Sequence, residues 1–467
     1  MKNSDRGIKK KHDLFLVIVK IVAVLCMTGL FAAVWFLFYK KTSIIIFYKR
    51  GDSAVLLLYA LFFAFFSKIY EALLVSMKRV RDLVYSQALA VAFSDICIYF
   101  VICILSKSYP SLVPGLICFF GQLGAAVLWA LFANRLYYNF FNSQSSIIVF
   151  GTREGLEHVI QQYKLDNKYD IKAVVNDEDC LKNLSMLDDM DVAFISGISS
   201  HERNIILKYC IDKDVTVLVI PRIGDVIMSG AKRVHLFYIP ILQIGRYNPP
   251  LEFSVVKRIM DIVISIIALI VLSPLMLATI IAIKIEDGGP AFYVQDRLTR
   301  DGQIFRLIKF RSMKVDAEKD GIARLSAGDH DERITRTGSI IRKFRIDEIP
   351  QFYNILKGEM SLIGPRPERP EIAAQYEKIM PEFRLRLQAK AGLTGYAQVY
   401  GNYNSSPYDK LQMDLLYLAN PSLIEEISII FATIKILFIP ESTEGISKEQ
   451  VTAMDSKQLK DDNLNEE

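Results

Sequence analysis

The 467-residue sequence predicts a membrane protein in three parts: a bundle of four apolar helices, an α/β Rossmann-like module, and a C-terminal domain carrying one further apolar segment. Three observations predict it. Mean hydropathy is positive, +0.26, which a purely water-soluble chain rarely shows. Four apolar stretches near the length of a bilayer span open the chain. Past Ser145 the texture changes to short apolar runs alternating with charged, helix-length segments, the pattern of a parallel sheet.

The apolar stretches run from Leu14 to Phe38, Ala54 to Val75, Ala88 to Leu105 and Leu112 to Phe132, within an expected membrane region of residues 1–142. No signal peptide is evident, because the first stretch is too long and lacks a small-residue cleavage site. The basic leader "MKNSDRGIKKKHD" argues for a cytoplasmic N-terminus. Lys78, Arg79, Arg81 and Arg135 agree with it, whereas Lys40, Lys41, Lys49 and Arg50 in the first loop oppose it. The net charge of +5 suits an anionic membrane surface better than a nucleic acid. Six cysteines without metal or disulfide spacing point to a reducing compartment.

In the middle module, residues 145–245, "SSIIVF", "IKAVV", "DVAFIS" and "VTVLVI" read as buried strands. Gly151 and Gly155 suggest a dinucleotide turn, but the full G-x-G-x-x-G is absent. A structural or oligomerising module is the stronger expectation, and with it a homodimer.

A fifth apolar run follows. Its uncharged core, Ile262 to Ile283, would be roughly 33 Å long as a straight helix, enough to span. Ser273-Pro274 interrupts it near the middle, where proline removes a backbone bond and bends the helix. Sequence physics leaves a kinked span and a re-entrant hairpin about equal. After four spans from a cytoplasmic N-terminus, only the hairpin keeps the last domain inside.

The C-terminal region interleaves basic, acidic and aromatic residues. Gln295, Arg297, Lys309 and Arg311 lie in "VQDRLTRDGQIFRLIKFRSM". Arg342 precedes the adjacent carboxylates Asp347 and Glu348, and Pro365-Arg366-Pro367 closes "SLIGPRP". Converging arginines suit a diphosphate. Pro350 suits a helix start and Gly358 its end, so either carboxylate could cap that helix. In the functional reading Arg342 and Arg345 keep Asp347 ionised for attack on phosphorus, while Glu348 holds Mg²⁺.

From Lys257 to about Phe438 the chain resembles the bacterial sugar transferase family, the monotopic phosphoglycosyl transferases. The resemblance rests on the Ser-Pro apolar segment, "KFRSM", "R-x-x-x-x-DE-x-PQ-x-x-N", "KGEMSLIGPRP", "GLTGYAQV" and a late "D-x-x-Y". With the two preceding parts, the whole chain looks like the large undecaprenyl-phosphate hexose-1-phosphate transferase type. The resemblance implies an α-rich monotopic catalytic domain, residues 252–440, with a re-entrant helix-break-helix at 262–283 broken at Ser273 and Pro274. A polar tail, 441–467, follows, and the "FIPESTEGI" segment that leads into it is expected to rest on the bilayer.

The same resemblance implies transfer of a sugar 1-phosphate from a UDP-sugar to undecaprenyl phosphate through an aspartyl-phosphosugar, releasing UMP. It makes Asp347 the nucleophile and Glu348 the Mg²⁺ ligand. Lys309, Arg342 and Arg366 would contact phosphates, Pro365 and Pro367 would shape the nucleotide site, and Asp414 would support it. It further implies the cytoplasmic face of a bacterial inner membrane, the first membrane step of capsule, exopolysaccharide or O-antigen synthesis, and downstream glycosyltransferases as partners. Ala391, "YGNYN" and Glu425-Glu426 depart from the family pattern where sugar recognition would lie. Competing expectations are a catalytically silent assembly scaffold and a ternary-complex transferase without a covalent step.

Overall fold

The computed structural model describes residues 2–42, 50–141, 143–152, 168–236, 238–315, 333–401 and 406–436, together with 156, 157, 160, 165 and 317. Gly155, most of "YGNYN", the "FIPESTEGI" surface and the polar tail lie outside them. The chain divides into two compact units, Met1–Val219 and Ile220–Glu467.

Four long helices open the first unit: α1 (Lys2–Val34, continued by a π turn to Tyr39), α2 (Arg50–Ile69), α3 (Val80–Ser106) and α4 (Val113–Phe140). All four contain stretches long and apolar enough to cross a bilayer, which marks a membrane-anchored chain. Leu25, Leu57, Phe100, Ile104, Phe120 and Leu128 stay exposed on the outside of the bundle, as a lipid-facing surface requires. Polar bonds tie the interior. The Gln122 amide donates to the Met27 carbonyl (3.1 Å) and the Tyr59 hydroxyl (2.7 Å), and Trp129 donates to Val19 (3.2 Å). The second apolar stretch was expected to continue to Val75. The helix stops at Ile69, and Glu71 takes a left-handed conformation (φ 50°) that an α-helix cannot continue.

The α/β part has a four-stranded parallel sheet in the order β2-β1-β3-β4: β1 (Gln144–Phe150), β2 (Tyr169–Asn176), β3 (Val192–Ser196) and β4 (Thr216–Val219). Each strand coincides with an apolar run read from the sequence. Ile147, Ile148, Val149, Ala193 and Ile195 are fully buried, as parallel strands covered on both faces require. Gly151 follows β1 at a point where a Cβ would lie 2.6 Å from the Gly197 carbonyl. Close approach of two turns accounts for this glycine.

The second unit begins with α5 (Ile223–Ser229), whose Ile223 and Val226 join the core formed by Phe305, Leu307, Ile355, Met360 and Leu415. Sequence texture groups residues 145–245 with the α/β module, and the compact units divide at Val219. A β-hairpin follows, β5 (Lys232–Leu236) with β6 (Ile239–Gln243). The fifth apolar run forms two helices, α6 (Leu251–Val271) and α7 (Ser273–Asp287), bent by 58°. The break falls at Leu272 (φ −89°, ψ 0°). Pro274 occupies the first turn of α7, where its missing N–H costs nothing, and the Ser273 hydroxyl donates back to Ile270 (2.7 Å).

Candidate active site

The site is assembled on β7 (Phe292–Leu298) and β8 (Ile304–Phe310), an antiparallel pair, and on α8 (Arg336–Lys343) and α9 (Gln351–Lys357). Between those two helices a single 3-10 turn, Ile346–Glu348, carries the carboxylates. Arg345 enters that turn in a left-handed conformation (φ 52°), which reverses the chain after α8. Pro350 and Gly358 (φ 87°) bound α9 as the sequence implies. Asn354 locks α9 to β8: it accepts from the Ile308 N–H (3.1 Å) and donates to the Arg306 carbonyl (2.8 Å).

The carboxylates face cations. Glu348 Oε1 accepts from Lys309 (3.0 Å) and from Arg366 (3.2 Å), and Arg345 lies 4.0 Å from Oε2. Asp347 lies 3.9 Å from Lys309. Burial opposes ionisation of Glu348, but Lys309, Arg366 and Arg345 outweigh it and hold this carboxyl well below the usual range. At Asp347 burial dominates and the neighbouring Glu348 charge adds to it. Its pKa is therefore raised, although Lys309, Arg342 and Arg366 pull the other way. Arginines had been expected to keep Asp347 ionised. In the structure Arg342 does favour ionised Asp347, whereas Arg345 stands beside Glu348.

Arg297 lines the same cleft as Lys309, Glu348, Gln351, Arg366 and Pro367. It donates to the Pro367 carbonyl (3.1 Å) and to Gln295 Oε1 (2.7 Å), so Gln295 acts by orienting Arg297. Burial lowers the Arg297 pKa to about 10, and its Nε is buried with no hydrogen-bond partner. The Pro-Arg-Pro corner leaves β9 (Ser361–Ile363), which pairs in parallel with β10 (Gly392–Thr394). Gly364 and Gly392 let these backbones meet: a Cβ on Gly364 would lie 2.2 Å from the Lys390 carbonyl. Pro365 and Pro367 are buried while Arg366 projects outward.

Two of the candidate residues make buried ion pairs with other side chains. Arg311 is buried against Gly289 and pairs with Asp287 at the end of α7. Asp414, 1% exposed, is paired with Arg386 at 2.7 and 2.8 Å. A buried carboxylate needs a partner, and the cation used here is one that the sequence reading passed over. Arg386 also donates to the Arg366 carbonyl (3.0 Å), so the pair supports the corner from behind. Gln351 of the motif lines the cleft, and no local pattern marks Arg386.

Among the described residues, no group of three or more His, Cys, Asp or Glu converges as a metal centre. Mg²⁺ characteristically takes one or two protein carboxylates and completes its shell with water and phosphate oxygens, so Glu348, kept ionised by its cationic neighbours, fits as a donor.

Residues 252–440 match the family described as bacterial sugar transferase. A UDP-N-acetylgalactosamine-undecaprenyl-phosphate N-acetylgalactosaminephosphotransferase of Aeromonas hydrophila is 36% identical over 62% of this chain and 66% of its own length. A galactosyl transferase of Streptococcus agalactiae is 40% identical over 40% of this chain and 42% of its own. The matched region thus spans less than two thirds of these two relatives. A putative undecaprenyl-phosphate N-acetylgalactosaminyl 1-phosphate transferase of Bacillus subtilis is 46% identical over 29% of this chain and 75% of its own. With its bent apolar helix, paired carboxylates and arginine-bearing corner in the matched region, the chain belongs to the bacterial sugar transferase family.

Proposed function

We propose that this protein transfers a sugar 1-phosphate from a UDP-sugar to undecaprenyl phosphate. The observation that carries the reading is the unequal carboxylate pair in a cationic cleft. Glu348 is held ionised by three cations, and Asp347 is left the more basic of the two. An Asp347 oxygen attacks the β-phosphorus of the donor. The bond from that phosphorus to the bridging oxygen breaks, and UMP leaves with the electron pair. An oxygen of undecaprenyl phosphate then attacks the same phosphorus, which frees the Asp347 carboxylate and yields the lipid diphosphate sugar. Lys309, Arg297 and the exposed Arg366 would hold the diphosphate oxygens, with Arg342 contributing charge from α8. Glu348 would hold Mg²⁺, which supplies charge neutralisation for the diphosphate when bound.

The bent α6–α7 pair reads as a re-entrant hairpin, because a return to the same face keeps the site with its nucleotide donor in the cytoplasm of a bacterial inner membrane. In that place the enzyme would begin capsule, exopolysaccharide or O-antigen assembly for downstream glycosyltransferases. The test is intact mass after incubation with Mg²⁺ and a panel of UDP-sugars without acceptor. A hexose-phosphate or acetamidohexose-phosphate adduct, absent from Asp347→Asn, is expected and names the donor. UMP release only after adding undecaprenyl phosphate, with no adduct at any time, would replace the covalent step with a ternary one.

A further inference from the structure

Each arm of the bent helix grips a different half of the site. On α6, the Asp261 side chain is 5% exposed, and its Oδ1 accepts from the Leu362 N–H (2.9 Å) and the Ser361 hydroxyl (3.2 Å), both on β9. Arg258 on the same arm donates to the Ile355 (2.7 Å) and Leu356 (2.8 Å) carbonyls in the last turn of α9, and Lys257 donates to the Ile363 carbonyl (3.0 Å). From Ile363 only Gly364 and Pro365 intervene before Arg366, and Pro365 is buried, so the hold on β9 reaches the arginine through a short, stiff link.

The α7 arm grips the other half. Glu286 accepts from the Arg336 N–H (2.8 Å) through one oxygen and the Thr337 N–H (3.1 Å) through the other, the first two amides of α8. Ile283 of α7 packs with Phe310, Ile341 of α8 and Ile349 beside the carboxylates. The segments held by the two arms are joined by the Arg366–Glu348 contact at 3.2 Å, and α9, held by Arg258, follows the carboxylate turn directly and packs Phe352 against the α7 cluster.

We infer that Asp261 and Glu286 are positioning residues for phosphosugar transfer, one on each arm, and that the bend at Leu272 sets the Arg366–Glu348 contact. The inference rests on the transferase reading above for its kinetic consequence but not for its structural one. The bland alternative is that Glu286 merely caps α8 and Asp261 merely satisfies two buried donors, each adding local stability. The two differ in reach. Local support affects only the segment touched, whereas positioning carries the loss of one grip across the contact to the other segment.

Two measurements on the full-length protein in lipid nanodiscs separate them. The first is UMP release by Asp261→Ala, Glu286→Ala, the double variant and Asp261→Asn. Each alanine is expected to lower kcat by about 100-fold, the loss that a displacement near 1 Å brings. Asp261→Asn keeps the accepting oxygen and is expected to stay near wild type. The double variant is expected to fall little below the worse single one, because both displace the same contact. The second is hydrogen exchange of the unliganded protein. Asp261→Ala is expected to speed exchange in residues 346–349, which Asp261 does not touch, as well as in 361–363. Ser361→Ala carries the same test if Asp261→Ala does not fold. Faster exchange confined to 361–363, or additive kcat losses in the double variant, would overturn the inference. Wild type that releases no UMP from any donor would fail the transferase reading alone, and exchange would still decide the positioning.

Discussion

At the scale of single residues, the Asp347–Glu348 pair divides one electrostatic field unequally. Glu348, with a lowered folded pKa, contributes stability that is present above its unfolded value and lost as pH falls through the folded one. Asp347, with a raised folded pKa, contributes stability below its unfolded value that is lost as pH rises through the folded one, so at pH 7 its ionised form is a strained guest. Asp347→Asn is therefore expected to abolish UMP release, by at least about 10³-fold, yet to raise the thermal midpoint at pH 7. An unchanged or lower midpoint would contradict this account of its burial. If attack requires ionised Asp347, the acid limb of the pH–rate profile lies above the ordinary carboxylate range. Lys309→Met, which removes a cation that lowers the Asp347 pKa, should move that limb further up. The residue types and their adjacency were legible in the sequence. Which cation serves which carboxylate was not, because Lys309, Arg345 and Arg366 converge from separate segments.

At the scale of elements, local chemistry foretold much. Pro350 and Gly358 bound α9, four β-branched runs became four strands, and Ser273-Pro274 marked the bend to within a residue. Propensity placed these because the governing interactions lie within a turn of the chain. Seating α8 is different. A Cβ on Gly338 would lie 1.9 Å from the Ser312 carbonyl, a contact invisible to any local pattern. Gly338→Ala is expected to cost about 1–3 kcal/mol by overpacking. Thermal unfolding checks this, with hydrogen exchange showing the loss concentrated in 336–349. A variant as stable as wild type would mean that α8 can shift at no cost.

At the scale of the molecule, stability and function share side chains. The Arg386–Asp414 pair is buried behind the corner, and removing one member leaves the other charge unpaired. Asp414→Ala is expected to destabilise by about 3–5 kcal/mol and to raise KM for the donor through Arg366, as read by thermal midpoint and steady-state kinetics. An unaltered KM in folded protein would restrict the pair to stability. Topology is tested on the exposed Arg300, between β7 and β8. With the native cysteines removed, Arg300→Cys in intact cells should resist a membrane-impermeant thiol reagent and react once the cells are opened. Labelling in intact cells would replace the proposed hairpin with a fifth span.

The sequence by itself determined the membrane-anchored class, the parallel sheet and the carboxylate pair, because each depends on composition or on spacing within a few residues. Only the tertiary structure decided that Arg311 pairs with Asp287 and Asp414 with Arg386, that Gln295 accepts from Arg297, and that Arg345 stands beside Glu348. The reason is physical. Burial and charge pairing are set by which distant segments meet, as Asp287 meets Arg311 and Arg386 meets Asp414, and no local window contains both partners.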